Sequence, residues 1–298
     1  MLKRSPVPPS FSLVRRGKSF LLLHDRFREL LLNKGVEDPE TFCKNSLRPL
    51  TFLGGRTPHP VIDLGEGLRI VLRKYSHGGL LRLLTGEIFL FGARSFRELV
   101  LTEEVRATSI PTIQAVGAIH RVILWPFYRA FLLSMEVEGA RDLFDFLLAM
   151  RGSASPEALR RKRWIIRSAG LLLQKFHNEG FYHRDLQLRN LLVAGDQVLI
   201  IDLDRSGRKK DLSLRTRIKN LLRLNRSIDK GKSFGLPVTR TDRWRFFLAY
   251  GGDDPRLRSA MKRALRAYRL HLALHRTGWL LKRRIGVSNG RSPCGENP

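Results

Sequence analysis

The chain has 298 residues, 43% apolar and 9% aromatic, enough for one large domain or two lobes around a cleft and too much for global disorder. Lys and Arg number 55 against 27 Asp and Glu, and the net charge of +28 calls for a polyanionic partner: an anionic membrane surface, a phosphorylated glycolipid or nucleic acid. Only Cys43 and Cys294 are present, which argues against a disulfide framework or a zinc cluster and for a reducing compartment.

Residues 1–50 read as a peripheral N-terminal extension, with a helix near Arg26–Asn33 and a turn at Asp38-Pro39. Phe20–Leu23 is too short for the apolar core of a signal peptide. No run reaches 18 apolar residues, and the longest apolar region, Val122–Val137, is broken by Pro126 and Arg129. No membrane span is expected, although the chain can lie on a bilayer. Val61–Leu64 and Leu68–Tyr75 read as two strands joined by the turn Gly65-Glu66-Gly67, and Phe96–Thr108 as a helix stopped before Pro111. Strands follow at Val116–Ile119 and Ala130–Val137, and Glu138-Gly139 marks a break between lobes.

Beyond the break the pattern turns helical. Asp142–Met150 is one helix. A second starts with Ser155 as N-cap and Pro156 in the first turn, and Ile165, Ile166, Ala169, Leu172, Leu173 and Phe176 fall at helical spacing on it. Gly180 ends that helix. Strands Asn190–Val193 and Val198–Ile201 follow, around the turn Ala194-Gly195-Asp196.

The densest chemistry lies in His183-Arg184-Asp185-Leu186-Gln187-Leu188-Arg189-Asn190, followed by an apolar strand that ends at Asp202. This matches the kinase catalytic-loop pattern H-R-D-x-x-x-x-N with a metal-binding Asp beyond it. The spacing has a physical reason. Asp185 faces the acceptor hydroxyl, while Asn190 turns back to a Mg²⁺ that Asp202 also holds, and hard cations take such oxygen ligands. His183 reads as a brace for the loop. On the preceding lobe, Arg73 and Lys74 both offer a cation for the phosphates of ATP, but strand alternation lets only one face the cleft. Glu98 on the next helix is the natural partner of that cation. Gly54-Gly55 reads as a phosphate-covering turn or as a plain hairpin turn, and Met135–Gly139, with Glu136, as the hinge that meets adenine. These assignments predict an α+β, bilobal, protein-kinase-like fold: a small β-rich lobe over 51–138, a larger helical lobe over 139–285 and a disordered tail over 286–298.

The sequence resembles the lipopolysaccharide core kinases, the Kdo/heptose kinase family. The resemblance covers roughly residues 50–270 and rests on Val71-Leu72-Arg73-Lys74-Tyr75, His77-Gly78-Gly79-Leu80, Arg94, Phe96-Arg97-Glu98, the catalytic loop and Ile201-Asp202-Leu203-Asp204-Arg205. Further on it includes Asn220–Ser227, Asp242-Arg243 and Phe247–Tyr250. It implies ATP- and Mg²⁺-dependent phosphorylation of a Kdo or heptose hydroxyl in the lipopolysaccharide inner core, by a peripheral protein on the cytoplasmic face of the bacterial inner membrane. It also implies Asp185 as the catalytic aspartate, Asn190 and Asp202 as metal ligands, and Arg73 as the strand cation, where a guanidinium grips phosphate as a fork rather than a point charge. Arg184 stands where many members carry a small residue. A protein Ser/Thr kinase or another small-molecule kinase would share the loop, but Asp202-Leu203-Asp204 lacks the Gly of D-F-G and no Ala-Pro-Glu follows. The third reading is a non-catalytic lipid- or RNA-binding pseudokinase.

The charge is concentrated late in the chain. Residues 205–245 hold 14 Lys or Arg against 3 Asp, and residues 256–284 hold 10 basic residues and no acid. Leu257, Met261, Ala264, Leu265, Tyr268 and Leu272 form one side of a helix, and Arg258, Lys262, Arg263, Arg266 and Arg269 the other. That suits an interfacial helix on anionic lipid, and equally a lobe helix with a solvated basic face. Nucleic acid is the weaker partner, because the basic stretches lack interleaved aromatics.

Overall fold

A computed structural model describes residues 7–45, 52–53, 59–76, 86–153, 155–268 and 270. Gly54, Gly55, the His77–Leu80 stretch and the tail over 286–298 lie outside the described residues. The chain divides into two units, Met1–Tyr250 and Gly251–Pro298.

The first unit opens with a sheet built from β1 (Phe11–Arg16), β2 (Ser19–His24), β3 (Phe52–Leu53), β4 (His59–Asp63), β5 (Arg69–Lys74), β6 (Phe89–Leu90), β7 (Ala115–Leu124) and β8 (Phe127–Met135). Its order is β1-β2-β7-β8-β5-β4-β3, with β6 paired to β8 and neighbouring strands antiparallel. The run Leu21-Leu22-Leu23 shows why β2 sits inside it. An apolar run without alternation suits a strand covered on both faces. Leu21 and Leu23 join one core with Phe27, Leu31, Phe42, Ile70, Leu72 and Phe131, while Leu22 joins another with Tyr75, Phe96, Leu99 and Leu132. Helices α1 (Arg28–Asn33) and α2 (Pro39–Asn45) belong to the first face, and α3 (Arg94–Ala107) to the second.

This corrects the expectation that residues 1–50 form a peripheral extension: β1 and β2 are strands of the sheet, and Leu31 is fully buried. The pairing that places them, Ser19 with Arg121 through Leu23 with Gly117, spans about a hundred residues and leaves no local signature. Gly117 lets β2 approach closely there: a Cβ would lie 2.7 Å from Leu23 Cδ2 and 3.2 Å from the Leu22 carbonyl, so the Leu23 side chain would have to shift. The β4–β5 hairpin forms as expected, with the turn Gly65-Glu66-Gly67 at positive φ throughout.

The helical half contains α4 (Leu143–Ala149), α5 (Pro156–Asn178), α6 (Leu214–Gly231) and α7 (Arg240–Tyr250). Ser155 accepts the Ala158 N–H at 3.1 Å as N-cap of α5, and the six apolar positions read on this helix are all buried. Helices α5 and α7 meet so closely that a Cβ on Gly170 would stand 2.5 Å from the Phe246 carbonyl. A buried ion pair, Lys162 to Asp242 at 2.7 Å, joins the same two helices. The small sheet β9 (Arg141–Asp142), β11 (Leu191–Ala194) and β12 (Gln197–Ile200) carries the catalytic loop, and β10 (Phe181–Tyr182) pairs with β13 (Gly207–Arg208).

In the second unit, residues 255–268 form α8. Leu257 and Met261 are buried while Lys262, Arg263 and Arg266 are exposed, the one-sided pattern the spacing predicts. No helix among the described residues is long and apolar enough to cross a membrane.

Candidate active site

Strand β5 decides between the two candidate cations. Arg73 is on the face opposite Ile70 and Leu72, and its guanidinium pairs with Glu98 on α3 and, at 2.8 Å, with Asp202 Oδ1. Lys74 is on the other face, among Glu40 of α2, Glu87 and the Phe131 ring, so the expectation that it contacts ATP is corrected. Tyr75 continues the alternation. Two residues after Arg73, it donates its hydroxyl to Glu98 Oε2 and lies under the Arg73 guanidinium, 4.6 Å from ring centroid to Cζ.

Glu98 is 3% exposed. Burial pushes its carboxyl up to about 7, against the downward pull of Arg73. Asp202 goes the other way: burial raises it, but the charge and hydrogen bond of Arg73, with Arg94 further off, more than offset this and hold the carboxylate below its usual range. Its backbone sits at φ 59°, a left-handed conformation that Asp tolerates better than branched residues.

Asp185 and Asn190 are fixed by the loop itself. The Asp185 N–H donates to His183 Nδ1 at 3.1 Å, and His183 Nε2–H donates to the Ile201 carbonyl at 2.9 Å. His183 is fully buried, and burial lowers its pKa, so the neutral ring braces both the loop and the peptide before Asp202. Asn190 Nδ2 donates to the Asp185 carbonyl at 2.7 Å, and the Ile201 N–H to the Asn190 carbonyl at 3.0 Å. The Asn190 amide nitrogen is thereby engaged and its orientation set. The exposed Asp185 side chain accepts from Gln187 Nε2.

At the expected hinge, Glu136 is engaged twice by Arg69: its carboxylate lies 3.0 Å from Arg69 Nε, and its N–H donates to the Arg69 carbonyl at 2.9 Å. Two further features have no expected role in the sequence. Arg94 forms a fork on Asp204, with Nε at 2.7 Å from Oδ1, and ties the start of α3 to the segment after Asp202. Arg94 sits in a first turn that contains no acid, against the helix dipole, which is the signal that it needs an outside carboxylate. The second is a buried relay under the loop: Tyr250 OH to His177 Nδ1 at 2.6 Å, His177 Nε2 to Asn220 Oδ1 at 3.2 Å, and the His183 N–H to the same oxygen at 2.8 Å.

Among the described residues no cluster of three His, Cys, Asp or Glu could hold a metal unaided. An ionised Asp202 and an oriented Asn190 amide suit Mg²⁺, which takes one or two protein oxygens and completes its shell with phosphate and water.

The sequence profile of the lipopolysaccharide kinase (Kdo/WaaP) family matches residues 65–250. The chain belongs to this family. A 3-deoxy-D-manno-octulosonic acid kinase of Xanthomonas campestris pv. campestris (strain B100) is 32% identical over 223 residues, covering 72% of this chain and 83% of that protein. The kinase of the same name from Photobacterium damsela subsp. piscicida is 28% identical over 187 residues, 61% of this chain and 73% of that one. In fold the chain is similar to WaaP, solved in complex with acyl carrier protein, with a TM-score of 0.53 and 21% identity over 82% of this chain and 97% of that one. The bilobal kinase-like fold is thus shared, and the enzyme is a phosphotransferase with a sugar hydroxyl of lipopolysaccharide as acceptor.

The Arg73–Glu98 pair makes a pH prediction. Below pH 7 Glu98 takes up a proton and loosens its hold on Arg73, so phosphotransfer is expected to fall on the acid side with a midpoint near that value. Because the folded-state pKa of about 7 exceeds the ordinary 4.5, Glu98 stabilises the fold at low pH, and this is lost as pH rises through 7. Glu98→Gln removes both dependences. A pH–rate profile with the same acid limb in the Gln variant contradicts the assignment.

Proposed function

We propose that this enzyme transfers the γ-phosphoryl group of Mg·ATP to a hydroxyl of the Kdo sugar in the inner-core glycolipid, as a peripheral protein on the cytoplasmic face of the inner membrane. The observation that carries this reading is the convergence of Arg73, Glu98 and Asp202 in one cleft, with Asp185 and Asn190 tied to Asp202 through His183 and Ile201. Kdo is favoured over heptose because the relatives in Xanthomonas and Photobacterium are named as Kdo kinases. Mg·ATP supplies the phosphoryl donor and neutralises its charge.

The chain's own residues position and stabilise. Arg73, held by Glu98 and Tyr75, would present its guanidinium to phosphate oxygens, and Asp202 and Asn190 would hold the Mg²⁺ that offsets their charge. Asp185 accepts the hydrogen bond of the attacking hydroxyl, aligns it in line and takes its proton at Oδ. Arg184 is exposed beside Asp185 with no ion pair among the described residues, suited to the carboxylate of an acidic sugar.

The test is transfer from Mg·ATP to Kdo- and heptose-bearing lipid A precursors, resolved by mass spectrometry, with Asp185→Ala as control. A one-phosphate gain on the Kdo acceptor, absent in the control, is the expected result. A gain on heptose alone corrects the sugar, and none on either overturns the reading.

A further inference from the structure

The sheet carries a large apolar surface that the catalytic cleft does not use. Strands β7 and β8 end in a tip where Leu124 is 72%, Trp125 77% and Phe127 43% exposed. Leu90 of β6 pairs opposite Phe127, and Phe91 follows it, 60% exposed. The Phe91 N–H donates to the Pro126 carbonyl at 3.3 Å, and its ring meets Trp125 edge-on at 6.0 Å. The patch is therefore contiguous, unlike the scattered apolar residues found on any surface. Phe91 is also held at φ 52°, an outlier for a bulky residue, and this strained backbone leaves an aromatic ring in water.

What surrounds the tip is basic. The Val122 N–H donates to the Lys18 carbonyl at 2.9 Å, which brings the turn with Arg15, Arg16 and Lys18, all exposed, alongside. A Cβ on Gly92 would lie 3.1 Å from an Arg97 guanidinium nitrogen, so Arg97 borders Phe91. Residues 11–23, 88–97 and 115–135 contain no Asp or Glu at all. Arg94, three residues beyond Phe91, is the residue bonded to Asp204, which links the patch along the chain to the segment after Asp202.

We propose that this tip is a membrane-inserting wedge: Leu124, Trp125, Phe127, Leu90 and Phe91 enter the headgroup–acyl boundary while Arg15, Arg16, Lys18 and Arg97 meet anionic headgroups. Tryptophan and apolar residues on a protruding tip, ringed by cations, are the composition that such a boundary accepts. The inference rests on the proposed function, because a lipid-anchored acceptor gives the enzyme a surface to meet. The wedge orients the cleft toward that surface without a spanning helix.

The experiment uses the full chain with phosphatidylglycerol-containing vesicles. Brominated lipids are expected to quench tryptophan fluorescence in the wild type, and Trp125→Phe to remove that quenching while vesicle binding persists. The triple variant F91S/L124S/W125S, altered only at exposed side chains, is expected to lose the binding that survives high salt. Its kcat/KM on an acceptor embedded in vesicles should fall by about tenfold or more, with little change on the same acceptor dispersed in detergent. Unquenched Trp125, or wild-type binding by the triple variant, overturns the wedge. Loss of binding to an acidic carrier protein with vesicle binding intact also overturns it, as the patch would then be a protein-docking surface. Quenching is read without acceptor, so failure of wild-type turnover on dispersed acceptor counts against the proposed function alone.

Discussion

Asp185→Asn and Asp202→Ala are each expected to lower phosphotransfer by about 10³-fold or more, with the protein still folded. The two losses should differ in kind. Asp185 is exposed, and its loop is held by backbone bonds to His183 and Asn190 that the Asn variant keeps. Nucleotide affinity should therefore survive in Asp185→Asn, while single-turnover transfer from Mg·ATP disappears. Asp202→Ala removes one metal oxygen, so calorimetric titration should show ATP binding that no longer responds to Mg²⁺. Arg73 keeps Glu98 in that variant, and the loss of one charge-assisted hydrogen bond is expected to cost about 1.5–3 kcal/mol of stability. Rapid turnover by either folded variant would falsify the assignment of both carboxylates.

These residues are legible in the sequence because local geometry sets their spacing. A short loop separates Asp185 from Asn190, and the β11–β12 hairpin carries the chain on to Asp202. The choice between Arg73 and Lys74 is different. Alternation shows that the two point to opposite faces of β5, but which face lines the cleft depends on what covers the other. That cover includes α2, whose Glu40 pairs with Lys74, together with Leu31 and Phe42 from the segment read as peripheral. One long-range event, the addition of β2 to β7, therefore lies behind both corrections. The Arg94–Asp204 fork joins residues 110 positions apart, and no spacing rule reaches that far. Its only local trace is an arginine in the wrong turn of a helix.

Asn220 leaves a similar trace, a poor helix former in the interior of α6, and it makes the strongest stability prediction. It is 2% exposed, and its Oδ1 accepts two donors, the His183 N–H and His177 Nε2. Burial lowers the His177 pKa to about 4, so the ring is neutral, and with the proton on Nε2 its Nδ1 accepts from Tyr250. Asn220→Leu orphans both donors in a site closed to water and is expected to destabilise the fold by about 2–5 kcal/mol. Tyr250→Phe leaves a single acceptor without a partner and should cost about 1 kcal/mol. The damage should also reach the chemistry. His183 is the pivot between Asp185 and the Ile201 carbonyl, so a loosened His183 displaces the acceptor-aligning carboxylate and the metal ligand together. Well below its melting temperature, Asn220→Leu is expected to lose about tenfold in kcat. Tyr250→Phe, one bond further from the loop, should stay near the wild type. Denaturant melts of both variants, paired with kcat at a temperature where each is folded, check the order. Equal effects of the two substitutions would mean that the buried relay is ordinary packing and does not position the catalytic loop.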